Sequence, residues 1–165
     1  MATNTALKFN FDAYGMTFFA RHLHRLRVVI SDQSDTIFEQ AGITVPAHCA
    51  SVMLLLAEHE ETPVMKLADA LGYSHQLLIQ RITLLEKHGC VRKYKDPSDR
   101  RKSLVSLSKR GRNEVRKVQE ALPIIDAGIR DVLSGDDGDL QQKIRDVRLA
   151  LLKSPLSERG RAGEF

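Results

Sequence analysis

The feature that most constrains the fold is a stretch of this chain, residues 63–111, in which the hydrophobic period changes from helical to alternating. Val64, Leu67, Ala68 and Leu71 recur at helical spacing and stop at Gly72, which can close a helix in the left-handed conformation. Ser74 then stands as an N-cap before a second run, where Leu78, Ile82 and Leu85 share one helical face up to Gly89. From Val91 the period becomes two: Val91, Lys93 and Lys95 interleave with Arg92 and Tyr94, and Leu104 and Ser106 with Val105 and Leu107. Between these strands Asp96-Pro97-Ser98-Asp99-Arg100-Arg101 favours a turn with arginines at its tip. Helix, tight turn, longer helix and basic hairpin predict a winged helix-turn-helix, whose second helix can lie in a DNA major groove.

That second helix has a polar stripe opposite its apolar face, made of Gln76, Gln80, Thr83 and Lys87. A glutamine can both donate to and accept from adenine, and Leu77 or Ile79 can meet thymine methyls, so the stripe suits a site containing A·T pairs. The bland alternative is an amphipathic helix whose outer face is merely polar.

At this point the chain resembles the MarR-type transcriptional regulators. DPSDRRKSLVSLSKRG is similar to that family's wing signature, and LADALGYS and LLEKHGCVRK look like its helix-turn-helix frame. The resemblance spans roughly residues 12–153. It implies that Arg101 enters the minor groove and that Asp99 holds it by an ion pair. The narrow minor groove is strongly negative, and a guanidinium on a stiff turn loses little freedom on entry. The chain departs from the family in carrying Gln76, Leu77, Ile79 and Gln80 where small hydroxyl residues and an arginine are usual. The candidate DNA surface is Ser74, His75, Gln76, Leu77, Gln80, Arg81 and Lys87 on the helix, with Lys95, Asp99, Arg100, Arg101 and Lys102 on the wing.

The formal charge of +4 is modest for a nucleic-acid binder, so its distribution decides. Between Arg92 and Lys117 eleven bases face only Asp96, Asp99 and Glu114, a concentration suited to phosphate backbone. No apolar run approaches a membrane span and no signal-peptide layout opens the chain, so a cytoplasmic protein is expected. Cys49 and Cys90 lack CxxC spacing, which suggests neither a disulfide framework nor a zinc site. Cys90 reads as a buried structural thiol, and only neighbouring His48 argues for reactivity at Cys49.

Outside the central stretch the pattern is helical. Residues 1–11 read as an arm; about Asp12 to Gln40 forms a long helix with Phe18, Phe19, Leu23, Leu26, Val29, Ile30, Ile37 and Phe38 as its apolar stripe. A further helix starts at Ile43-Thr44-Val45-Pro46, with Thr44 a candidate cap, and runs toward Glu60. After the wing a helix spans about Lys109–Val132, where Pro123 should bend or divide it. A break at 134–138 precedes a last helix, about Asp139 to Lys153, and the polar end beyond it reads as frayed.

The long first helix has more apolar surface than a small module needs, which suggests a partner. The expected architecture is therefore mainly α with a small β wing. It is one domain over 1–165, with a module at 44–108 and a helical dimerisation base from 12–41 and 109–153. The resemblance implies a homodimer on an inverted repeat in double-stranded DNA, more often a repressor, with a small aromatic or anionic effector near the junction of base and module. Arg21, His22, Arg25 and His48 are candidate effector residues there. The competing reading is a dimer of the same shape that binds an effector or a protein without reading DNA sequence. An enzyme fits less well: His22-x-His24, His48-Cys49 and His88-x-Cys90 complete no nucleophile, metal-ligand or phosphate-loop pattern. No cofactor is implied.

Overall fold

Asn10 opens the first ordered turns by accepting a hydrogen bond from the Asp12 N–H at 3.1 Å, in a computed structural model that describes residues 9–134 and 139–159. Helical turns of the 3-10 type follow over Phe11–Phe18, but Gly15 sits at φ 56° and ψ −135°, outside any helical region. The expected helix from Asp12 is therefore broken there, and the α-helix proper, α1, spans Phe19–Gln40. Gly42 at φ 65° ends it, and the Ile43 N–H donates back to the Phe38 carbonyl at 2.8 Å in a Schellman-type closure.

Residues 43–46 do not start the next helix, and Thr44 does not cap it. Pro46 is extended, a 3-10 turn covers Ala47–Cys49, and α2 spans Ala50–Glu58. The free Ala47 N–H is met by the Asp35 carboxylate of α1 at 2.6 Å, while Thr44 is engaged by Glu114. The cap comes from a distant residue, which local spacing cannot show.

The reading module follows its sequence pattern closely. A short strand β1 (Thr62–Pro63) leads into α3 (Val64–Leu71), closed by Gly72 at φ 63°. Ser74 caps α4 (His75–Lys87), its hydroxyl accepting from the Leu77 N–H at 3.2 Å. Strands β2 (Val91–Lys95) and β3 (Ser103–Leu107) pair antiparallel, Val91 opposite Leu107 and Lys95 opposite Ser103. The sheet order is β1-β3-β2, with Thr62 opposite Val105. The sequence reading has no β1, because two residues ending in a proline show no alternation.

Helix α5 (Lys109–Val132) continues through Pro123, so of the two expected outcomes, a bend or a division, the division does not occur. Pro123 and Gln119, whose carbonyl loses its donor, are both exposed, so water can satisfy that oxygen. The chain up to Ile125 is one compact unit. Its core joins Phe38 and Val45 to Val52, Met53 and Leu56 of α2, Leu67 of α3, Leu78, Ile82 and Leu85 of α4, Val105 of β3 and Val118 of α5.

From Asp126 the chain forms a second unit, described by itself. Asp139 caps α6 (Leu140–Lys153), accepting from the Gln142 N–H at 3.0 Å, and no α6 residue is buried. The expected frayed end instead begins with a short helix, α7 (Leu156–Arg159), where the Arg159 guanidinium donates to the Ser154 and Ala150 carbonyls at 2.9 Å each. Residues 1–8 of the expected arm at 1–11, residues 135–138 of the expected break at 134–138 and the chain from 160 on lie outside the described residues.

Candidate nucleic-acid interface

The face of α4 is set by what its other face buries. Leu78, Ile82 and Leu85 are closed off completely in the core, which turns Gln76, Gln80, Thr83 and Lys87 to solvent together with His75. Ser74 is exposed, with its oxygen already accepting the capping bond. Leu77 is half-buried, and Ile79 packs against the core, so neither stands fully proud of the helix.

Arg81 lies apart from that stripe. Its guanidinium carbon is 6.0 Å from the Tyr73 ring centroid, and its Nη1 is shut off from solvent without a hydrogen-bond partner. Burial, and then the charge of Arg27 on α1, holds its pKa below the usual arginine value. The Tyr73 hydroxyl shares a 2.9 Å hydrogen bond with the Ser51 hydroxyl of α2.

The wing tip is a turn built on two aspartates. The Asp96 carboxylate accepts from the Ser98 N–H at 2.8 Å, the Ser98 hydroxyl at 2.6 Å and the Asp99 N–H at 3.3 Å. Asp99 in turn accepts from the Arg101 N–H at 3.1 Å and the Arg101 Nε at 3.2 Å, and pairs with Lys102 at 3.5 Å. The Ser98 hydroxyl bond holds the Asp96 carboxyl below its ordinary range, and the Arg101 side-chain bond does the same for Asp99. The Arg101 side chain is 92% exposed, and the contact through Nε leaves both Nη groups at the end of the wing without a partner among the described residues. Arg100 and Lys102 are exposed beside it, and Lys95 donates to the Ser103 hydroxyl at 3.5 Å.

The basic run after the wing is less available than its count suggests. Arg110 donates to the Thr44 hydroxyl, Arg112 to the Leu107 carbonyl, Arg116 to Asn113, and Lys117 to both Glu114 and the Gly42 carbonyl. These cations partly serve the fold, while the wing tip and the outer face of α4 present exposed basic and polar side chains.

The structure does not gather the candidate effector residues into one group. The Arg21 guanidinium lies 3.9 Å from the Phe11 ring centroid and His22 is 3.2 Å from the Asp12 carboxylate, so both are tied to the turns before α1. Arg25 is exposed and His48 is half-buried in the 3-10 turn before α2; among the described residues no hydrogen bond or ion pair joins these four. Cys49 is fully buried, and burial, with Asp35 and Cys90 adding to it, pushes its thiol up to about 12. Burial also raises Cys90. No helix among the described residues is long and apolar enough to cross a membrane.

Helix-turn-helix, capped reading helix and paired wing define a winged helix-turn-helix module. Residues 41–102 match the model of the MarR family. Comparison with curated proteins finds no match. Among solved structures, the PcaV transcriptional regulator of Streptomyces coelicolor, in complex with its natural ligand, is similar with a TM-score of 0.63 at 16% identity, covering 90% of this chain and 99% of that one. AbsC, a MarR family transcriptional regulator of Streptomyces coelicolor, gives 0.57 at 23% identity over 95% of this chain and 100% of its own. Reduced AbfR bound to DNA gives 0.61 at 21% identity, covering 86% and 91%. At these identities the likeness is one of fold.

Proposed function

We propose that the protein is a cytoplasmic homodimeric regulator that reads an inverted repeat in double-stranded DNA. Each α4 lies in a major groove, and each wing places Arg101 in the flanking minor groove. The observation that carries this reading is the wing tip: a guanidinium 92% exposed, held through Nε by an acid that the turn itself orients, beside a reading helix whose polar stripe faces outward. AbfR, of the same fold, has been seen bound to DNA. Dimer symmetry imposes the repeat, and exposed apolar residues on α1, α5 and α6 supply material for the shared base.

An effector regulates this dimer by binding one separation of the two modules better than the other, with repression the expected output. PcaV, of the same fold, was solved with its natural ligand. Arg21, His22, Arg25 and His48 remain candidates for effector contact. The test is selection from a random duplex pool at near-physiological salt with Arg101→Ala run beside the unaltered chain. An enriched inverted repeat, bound about tenfold or more weakly by the variant and with a salt slope lower by about one, supports the reading. No enrichment by a folded dimer overturns it.

A further inference from the structure

We propose that a cleft at the root of the wing, away from α4 and from the wing tip, binds a small amphoteric molecule with a cationic and an anionic end joined by an apolar spacer. The cleft has a volume of about 770 Å³, within the ~300–1,000 Å³ usual for small-molecule sites. Its charges are segregated by element. The end of α2 and the loop after it contribute Glu58, Glu60 and Glu61, with His59 between them, and β2 and α5 contribute Arg92, Lys109 and Arg112. The remaining lining includes Leu56, Leu107 and Val115, which are almost closed to solvent and present only a narrow apolar strip at the base of the cleft.

All six of these charged residues are exposed, and among the described residues no ion pair crosses this cleft. The basic side is partly preorganised. Arg112 Nη1 donates to the Leu107 carbonyl at 2.9 Å, which fixes the guanidinium against the floor and leaves its other donors without a partner among the described residues. Ser108, also in the lining, is already engaged: it donates to the Gly89 carbonyl and accepts from the Gly111 N–H, capping α5 internally. The site therefore rests on side-chain charge and shape rather than on a free helix end.

The same lining selects the ligand class. A polyanion such as DNA meets three carboxylates on one side and is repelled. A simple cation or a simple anion satisfies one set of charges and sets its apolar body against the other. A ligand charged oppositely at its two ends meets both, and its spacer covers the floor. Because Arg92 and Ser106 lie on the two wing strands and Arg112 on α5, an occupant would tie the wing's root to the helix that leaves the module.

The test titrates the full chain, without DNA, with ε-aminohexanoate, hexanoate and hexylamine at fixed ionic strength, following backbone amide NMR shifts. The expected result is saturable shifts confined to the loop after α2, the wing root and the start of α5 with ε-aminohexanoate, and at least tenfold weaker binding of both singly charged probes. Glu60→Gln with Glu61→Gln, and separately Arg112→Gln, should each weaken ε-aminohexanoate at least fivefold. Since Arg112 also bonds the Leu107 carbonyl, Arg92→Gln, an exposed strand position, serves as a second basic-side variant with the same expected loss. Absence of saturable shifts, shifts elsewhere, equal binding of a singly charged probe, or full affinity in the folded variants would overturn the assignment.

Discussion

Glu114 is the one buried acid among the described residues, 4% exposed, and it joins α5 to the segment between α1 and α2. Its carboxylate accepts from the Thr44 N–H at 2.8 Å, the Thr44 hydroxyl at 3.2 Å and Lys117 Nζ at 3.0 Å, and Lys117 also donates to the Gly42 carbonyl. Burial, the largest single influence, pushes its pKa up, but the bonds from Thr44 and Lys117 together carry it below the ordinary glutamate value. A depressed folded pKa stabilises the fold above the unfolded value, near 4.3, and that contribution is lost as pH falls through the folded value. Glu114→Gln is therefore expected to lower stability by about 1–3 kcal/mol at neutral pH, with the gap narrowing in thermal melts taken below about pH 4. A gap independent of pH would refute the ionic account. In the sequence Glu114 is only one of three acids in a basic run, and Thr44 reads as a helix cap, because a partnership across seventy residues leaves no local period. Cys49 gives a second test. With its thiol raised to about 12 by burial, neither it nor buried Cys90 should react with a thiol-specific disulfide reagent at pH 8 until the chain is unfolded.

Between elements, the tightest join is where β3 turns into α5. Ser108 donates from its N–H to the Cys90 carbonyl at 2.9 Å, and a Cβ built on Gly111 would sit 1.9 Å from that same carbonyl oxygen and 3.1 Å from Leu107. Gly111 is needed there for close approach, since its backbone is ordinary helix. Gly111→Ala is thus expected to cost about 3 kcal/mol or more, at the upper end of overpacking effects, read as a lower denaturant midpoint. The glycine itself is visible as part of the wing signature, but the reason for it is not, because the carbonyl it faces belongs to Cys90, twenty-one residues earlier and just before β2. Helices α3 and α4 were legible almost to the residue, since periodicity, Gly72 and Ser74 agree at every boundary. Pro123 shows the opposite case. Its rule for breaking helices assumes that the lost donor matters, and on an exposed turn it matters less. Replacing Pro123 by alanine should restore the bond to Gln119 and raise stability by up to about 3 kcal/mol, read as a higher melting temperature.

On the scale of the whole molecule, the question is what the outer helices do with their apolar residues. Leu26 and Val29 on α1, Ile124 and Val132 on α5, and Ile144, Val147 and Leu151 on α6 are all exposed in the single chain, and no α6 residue is fully buried. An isolated amphipathic helix of this length is marginal in water, so α6 needs a partner for its apolar stripe. The sequence displays that stripe but cannot name the surface that covers it. In the proposed dimer the cover is a second copy. Ile144→Glu with Val147→Glu is then expected to convert a dimer into a monomer in sedimentation at micromolar concentration. The consequence for DNA follows from linkage. Two tethered modules on two half-sites gain an effective concentration that a monomer lacks, so the variant should bind the selected repeat at least about a hundredfold more weakly. It should also become indifferent to half-site spacing, because spacing is read only by two modules held together. A variant that stays dimeric would exclude these two residues from the interface, and an unaltered chain that sediments as a monomer would remove the dimeric mechanism itself.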